Sequence, residues 1–197
     1  MSTEQFNAFW TTSYPETGLI SHQFRHDFPD RWFRIHSLPE SQRYAYNEGE
    51  WDILLTRQNS LITDLLGNNS NVFLVTGDYS TKEATDAHLT LEEEIFHPYT
   101  FYRLGDVDLH ALSPEEYDEG QTFRPAVSET IWIRHQHDPL LRAIADDCLM
   151  AFFVSPSEHV IVAPYDGGVD IVLKDTNARE AYKQKYNDWL SARPDGL

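Results

Sequence analysis

The C-terminal third of the chain places the tightest constraint on its fold. Three apolar runs, "AFFVS" (151–155), "VIVAPY" (160–165) and "GVDIVLK" (168–174), are separated only by short polar turns. Runs of this length, rich in Val, Ile and Phe and bounded by turn residues, predict strands. The "PYDGGV" junction leaves room for only a tight turn, in which Asp-Gly and Gly-Gly supply the positive φ that such turns use. Two strands joined this closely run antiparallel. A last helix is predicted from about Thr176 to Ala192, packing Ala178, Tyr182, Tyr186, Trp189 and Leu190 inward and closed by Pro194 and Gly196.

Upstream, helices and strands alternate. Phe6, Phe9 and Trp10 share one helical face before Pro15. Residues 31–36 read as a strand that Pro39 ends. Asn47 and Glu50 form a capping box for a helix over 47–66, stopped by Gly67, with Trp51, Leu54, Leu55, Ile62, Leu65 and Leu66 as its buried stripe. "NVFLVTG" reads as a strand covered on both faces, and residues 78–97 as loop with short structure. After Gly105, "DVDLHAL" alternates as a strand. Ser113 and Pro114 then open a short helix. "ETIWIRH" is a further strand, and "DPLLRAIADDCLM" a helix with the stripe Leu141, Ile144, Ala145, Cys148 and Leu149. The expected fold is α+β: a mixed, mainly antiparallel sheet with helices packed on its faces and a C-terminal β-hairpin followed by a helix. At 197 residues, 41% of them hydrophobic, the expectation is a single globular domain over 1–197.

Charge narrows the function classes. The chain carries 32 acidic residues against 15 basic ones, a formal net charge of −17. From Asp78 to Glu119 there are twelve acids and only Lys82 and Arg103 as bases. Such a balance argues against nucleic acid and against an anionic membrane surface as partners, and favours encounter with a basic protein. The start, "MSTEQFNAFW", has no basic and apolar signal regions, so a cytoplasmic protein is expected. Cys148, the single cysteine, reads as a small buried hydrophobe.

One stretch runs against the charge trend. In "RWFRIHSLPESQRY" (31–44), a strand would turn Arg31, Phe33 and Ile35 one way and Trp32, Arg34 and His36 the other. Arginine matches carboxylate or phosphate with two parallel hydrogen bonds and stacks on aromatic rings. Two readings follow. The arginines pair with nearby carboxylates and fix strand register, or they line an anion pocket. The first is preferred in so acidic a chain. For the second, the candidate ligand-binding residues are Arg31, Trp32, Arg34, His36, Arg43 and Tyr44, with Asp170 as an acid or base. His22 with His26, His135 with His137, and Asp106, Asp108 with His110 are spaced so that each set shares one face, but none has the specificity of a zinc motif, and no metal or cofactor is expected. Ser37 and Ser41 near His36 make no triad. GxSxG, GxxxxGK[ST] and GxGxxG are absent, so serine hydrolase, P-loop and Rossmann readings have no support.

The hairpin and final helix carry a resemblance. Tyr165, Asp166, Gly168 and Asp170, followed by Tyr186, Asn187, Asp188 and Trp189 in "KYNDWL", resemble a bacterial family catalogued as domain of unknown function 3885. The early arginine stretch matches it loosely. The resemblance implies a bacterial cytosolic α+β protein and carries no activity. The function expected from the residues is an acidic protein-binding module, of an immunity or regulatory kind, that docks a basic partner. The alternative is an anionic-ligand protein or enzyme with an Arg/His/Trp-lined pocket.

Overall fold

The apolar runs become strands of one sheet in the computed structural model, which describes residues 3–15, 17–80, 94–191 and 193. The strands are β1 (Trp32–His36), β2 (Ser70–Ser80), β3 (Tyr102–Arg103), β4 (Val107–Asp108), β5 (Thr122–Trp132), β6 (Ala151–Ser155), β7 (Val160–Pro164) and β8 (Gly168–Val172). Their order is β1-β8-β7-β6-β2-β5-β3, with β4 also on β5. The sheet is antiparallel throughout these pairings. Six α-helices accompany it among the described residues: α1 (Thr3–Ser13), α2 (Phe24–Asp27), α3 (Glu48–Leu66), α4 (Leu109–Leu112), α5 (Asp138–Ala145) and α6 (Thr176–Lys185). The fold is α+β, and the C-terminal β7–β8 hairpin runs into α6 as expected.

Both faces of the sheet are covered, which is why β6, β7 and β8 read as continuous apolar runs rather than alternating ones. Alternate residues divide between two cores. Phe33, Ile35, Leu74, Phe153, Val162 and Ile171 pack with the apolar faces of α3 and α5. Phe73, Val75, Phe152, Val154, Ile161 and Val172 pack with Phe6, Trp10, Phe24 and Phe28 from α1 and the segment around α2. The second core is built from rings meeting edge to face, Phe6 on Phe73 at 5.1 Å and Phe24 on Phe152 at 5.2 Å.

Local signals held where caps and stops were explicit. The Asn47 side chain accepts the Glu50 N–H at 3.0 Å, and Glu50 reaches back to the Tyr46 N–H rather than to that of Asn47. Gly67 ends α3 with φ 80°. They failed where two signals competed. Asp108 caps α4 through the Ala111 N–H, so the strand after Gly105 lasts two residues and His110 lies on a helix. Ser113 to Gly120 forms turns and bends rather than a helix. β5 ends at Trp132, and the chain turns through His135 (φ 68°), so His135 and His137 do not share a strand face. α5 ends at Ala145 and Asp147 takes φ 58°, which swings Cys148 off the helix stripe and leaves it exposed, not buried. α6 gives way after Lys185 to a short 3-10 turn over Asn187–Trp189, although Ala178, Tyr182, Tyr186, Trp189 and Leu190 do face the core. Most of the segment expected as loop, residues 81–93, lies outside the described residues, as do Ala192, Pro194 and Gly196 of the expected C-terminal closure.

The hairpin turn holds a further correction. Tyr165 and Gly168 exchange both backbone hydrogen bonds across Asp166 and Gly167. Neither glycine has a positive φ; among the described glycines only Gly67 and Gly120 do. Glycine is required here by close approach. A Cβ on Gly168 would fall 2.0 Å from the Ile35 carbonyl oxygen of the neighbouring strand, and one on Gly167 would fall 2.8 Å from Cε2 of Tyr165. Gly168→Ala is therefore expected to force β1 away from β8 and to cost about 2–3 kcal/mol, read as a lower midpoint in denaturant unfolding. Gly105→Ala, with nothing within 4 Å, is expected to change the midpoint little.

Candidate functional site

The centre of the candidate site is a cross-strand pair. Arg34 and Asp170 sit directly opposite each other in the β1–β8 register. Arg34 Nε donates to Asp170 Oδ1 at 2.6 Å and Nη2 to Oδ2 at 2.9 Å, a two-pronged ion pair with side-chain exposures of only 15% and 6%. The guanidinium lies 4.5 Å from the Tyr165 ring centroid and 5.5 Å from that of Trp32. Burial alone would lower the arginine pKa, but the bonds to Asp170 and its charge outweigh burial and hold it raised. Burial pushes the Tyr165 hydroxyl up to about 12, so it stays protonated.

A second carboxylate stands at the hairpin turn. Asp166 Oδ2 accepts hydrogen bonds from Arg43 Nε and, at 2.9 Å, from the Tyr44 hydroxyl. Arg43 is itself largely exposed, and the bond to Asp166 raises its pKa and that of Tyr44. The loop that brings Arg43 and Tyr44 here passes through Glu40 and Ser41, both at positive φ. Asp166, Asp170, Arg34 and Tyr165 line a cavity of about 160 Å³, closed on other sides by Ser21, His22, Asp147, Met150 and neighbouring apolar side chains.

Of the seven residues singled out from the sequence, Trp32, Arg34 and Asp170 form one stacked cluster, and Arg43 with Tyr44 joins it through Asp166. His36 follows on the same strand but is buried, and its Nε2 has no hydrogen-bond partner. Burial and the Arg34 charge lower its pKa. Arg31 goes elsewhere. It precedes β1, so the expected alternation does not reach it; its guanidinium packs 4.6 Å from the Phe28 ring, away from Phe33 and Ile35. Sequence reasoning missed Asp166 and Tyr165 as site residues, since the hairpin signal accounted for both. Asp147 gave no signal beyond its place among acids after α5.

The other candidate sets do not assemble. His22 Nε2 pairs with the Tyr117 hydroxyl at 2.9 Å, and His26 accepts from Arg25. His137 is buried between Tyr99 and Trp132, stacked 5.1 Å from the latter. Its Nε2 donates to the Ile131 carbonyl at 3.0 Å, and its Nδ1 takes the Tyr99 hydroxyl at 2.8 Å. Ser37 is fully buried and accepts from Gln58 rather than meeting a histidine. Among the described residues no group of three or more His, Cys, Asp or Glu is placed to hold a metal ion. Nor is any helix of these residues long and apolar enough to cross a membrane.

Two measurements check this picture. Arg34→Ala leaves Asp170 buried without its partner and is expected to cost about 3–5 kcal/mol, whereas replacing both residues by apolar ones of similar volume costs much less. The pair is read by a double-mutant cycle in denaturant unfolding. Burial holds His137 below its ordinary pKa of 6.5. As pH falls the unfolded chain therefore takes up this proton first, so its contribution is intact above the ordinary histidine range and is lost as pH drops through it. Stability measured from pH 8 to pH 5 should fall less steeply in His137→Gln than in the wild type.

One comparison with known proteins gives a family, and its description carries no activity. The sequence model of the domain of unknown function DUF3885 matches residues 20–194. No curated protein and no solved structure matches the chain.

Proposed function

We propose that this chain, which belongs to the DUF3885 family, is an acidic binding module that docks a basic protein partner in the bacterial cytoplasm, in an immunity or regulatory role. The observation that carries the reading is one exposed acidic stretch beside the sheet edge. Asp106, Asp108, Glu115, Glu116, Asp118 and Glu119 are all exposed. Leu112 and Tyr102 stand among them with 39% and 50% of their surface open. Arg103, the one base in this stretch, gives its Nη2 to the buried Asp78 at 2.7 Å. Carboxylates around exposed aromatic and aliphatic groups suit a basic protein surface, because charge steers the encounter and the apolar groups hold it.

The distribution of bases supports the same reading. Arg34, Arg43, Arg103, Arg142, Arg179 and Lys185 each pair with a carboxylate of the chain. These pairs engage several of the 15 bases, while Asp106, Glu115, Glu116 and Asp118 stand exposed in a chain of net charge −17. The alternative, an anionic ligand held by Arg34 and Arg43, requires each arginine to exchange an existing carboxylate for the ligand.

The test is co-precipitation from lysate of the source organism at low and high salt, run in parallel with the charge-reversed variant Glu115→Lys/Glu116→Lys/Glu119→Lys. The expected result is a stoichiometric basic protein on the wild type that leaves at high salt and is absent from the variant. The same proteins on both, or no stoichiometric basic protein on either, would contradict the reading.

A further inference from the structure

The cavity beside Arg34 has an unused acceptor. Asp166 is only 6% exposed, yet hydrogen bonds from the described residues reach only its Oδ2; Oδ1 takes none. Asp170, the neighbouring carboxylate, has both oxygens matched by Arg34, so that arginine's charge is already balanced. Asp147 stands exposed at the rim, held there by its positive φ. The walls between are apolar: Leu149, Met150, Pro164 and the Tyr165 ring. Asp166 is likewise paired with Arg43, so the carboxylate at this cavity with no ion pair among the described residues is Asp147, and an anion entering here would find both arginines engaged and that charge opposing it. A cation on an apolar stem meets the opposite situation. Its head finds Asp166 and Asp147, and its stem lies against Leu149 and Met150.

The cavity also adjoins the acidic face. His22 lines it and lines the next cleft as well, which is formed with Leu112, Glu115 and Glu116. The His22 ring is fixed there by the Tyr117 hydroxyl. We propose that this cavity is the specificity pocket of the binding module and receives the guanidinium or ammonium head of an arginine or lysine side chain from the basic partner. The proposal rests on the reading of the chain as a module for basic proteins and gives that reading its anchor point.

The test is an amide NMR titration of the full chain with Nα-acetyl-L-arginine amide. The uncharged Nα-acetyl-L-citrulline amide and sodium acetate serve as controls at equal ionic strength. Saturable shifts are expected at Asp147, Met150, Asp166 and Gly167 with the arginine probe, and binding of the citrulline probe is expected to be at least several-fold weaker. Asp147→Asn, at an exposed position whose side chain makes no hydrogen bond or ion pair with the described residues, should weaken the arginine probe several-fold, and Asp166→Asn should abolish its shifts while the Gly168 amide keeps its native position. The charge-reversed variant of Glu115, Glu116 and Glu119 should keep the probe shifts. A bound probe without any captured protein partner would overturn the module reading and leave the pocket standing as a cation site. Equal binding of citrulline, shifts caused by acetate at these amides, or arginine shifts that survive both aspartate changes would overturn the pocket.

Discussion

The Arg34–Asp170 pair is the interaction on which the arrangement of this molecule depends. It closes the sheet at its β1 edge, joining a strand from the first fifth of the chain to one from the last, 136 residues apart. The pair is opposite in register, largely buried, and matched bond for bond, so a one-residue slip of β1 would turn Arg34 toward the first core and leave Asp170 buried without its partner. The backbone around it is drawn tight in consequence. Gly168 has no side chain because the Ile35 carbonyl occupies that space, and Arg57 from α3 donates to the His36 carbonyl at the end of the same strand. β1 thus carries α3 and the 37–44 loop into place, and that loop delivers Arg43 and Tyr44 to Asp166.

This use of arginine sets the chemistry of the surface. A chain with so few bases puts several of them into ion pairs that hold loops and strand edges and lays some on rings: Arg57 lies over Trp189, and Arg142, paired with Glu48, also lies over Trp51. Among the described residues, exposed carboxylates concentrate on the 106–119 stretch, and the cleft past His22 joins that stretch to the cavity at the β7–β8 turn. In the reading proposed above, the site and this stretch serve one partner that brings cations with apolar stems.

The local parts of this structure were legible in the sequence, and the long-range ones were not. The β7–β8 hairpin, the long helix with its Asn47 cap and the two-sided burial of β2 each follow from a handful of adjacent residues. The preference for arginine paired with carboxylate was also readable from composition, and the structure supplies Asp170 and Asp166 as the partners. Which carboxylate each arginine takes depends on strand order, and no local pattern fixes the placing of β1 beside β8. The misread pieces had two competing signals: Asp108 could alternate in a strand or cap a helix, and capping prevailed. His137 looked like half of a pair on one strand face because spacing is blind to the turn at His135, which drives it between two rings. Tyr165 and Asp166 were hidden because a turn signal already explained them.

The central claim is that the site favours cations because its arginines are already matched by carboxylates. The most direct measurement is the thermal unfolding midpoint of the full chain at fixed ionic strength, with agmatine in one series and inorganic phosphate in the other. The account predicts a midpoint that rises with agmatine and stays level with phosphate. A rise with phosphate and none with agmatine would contradict it, and would return Arg34 and Arg43 to the role of anion ligands.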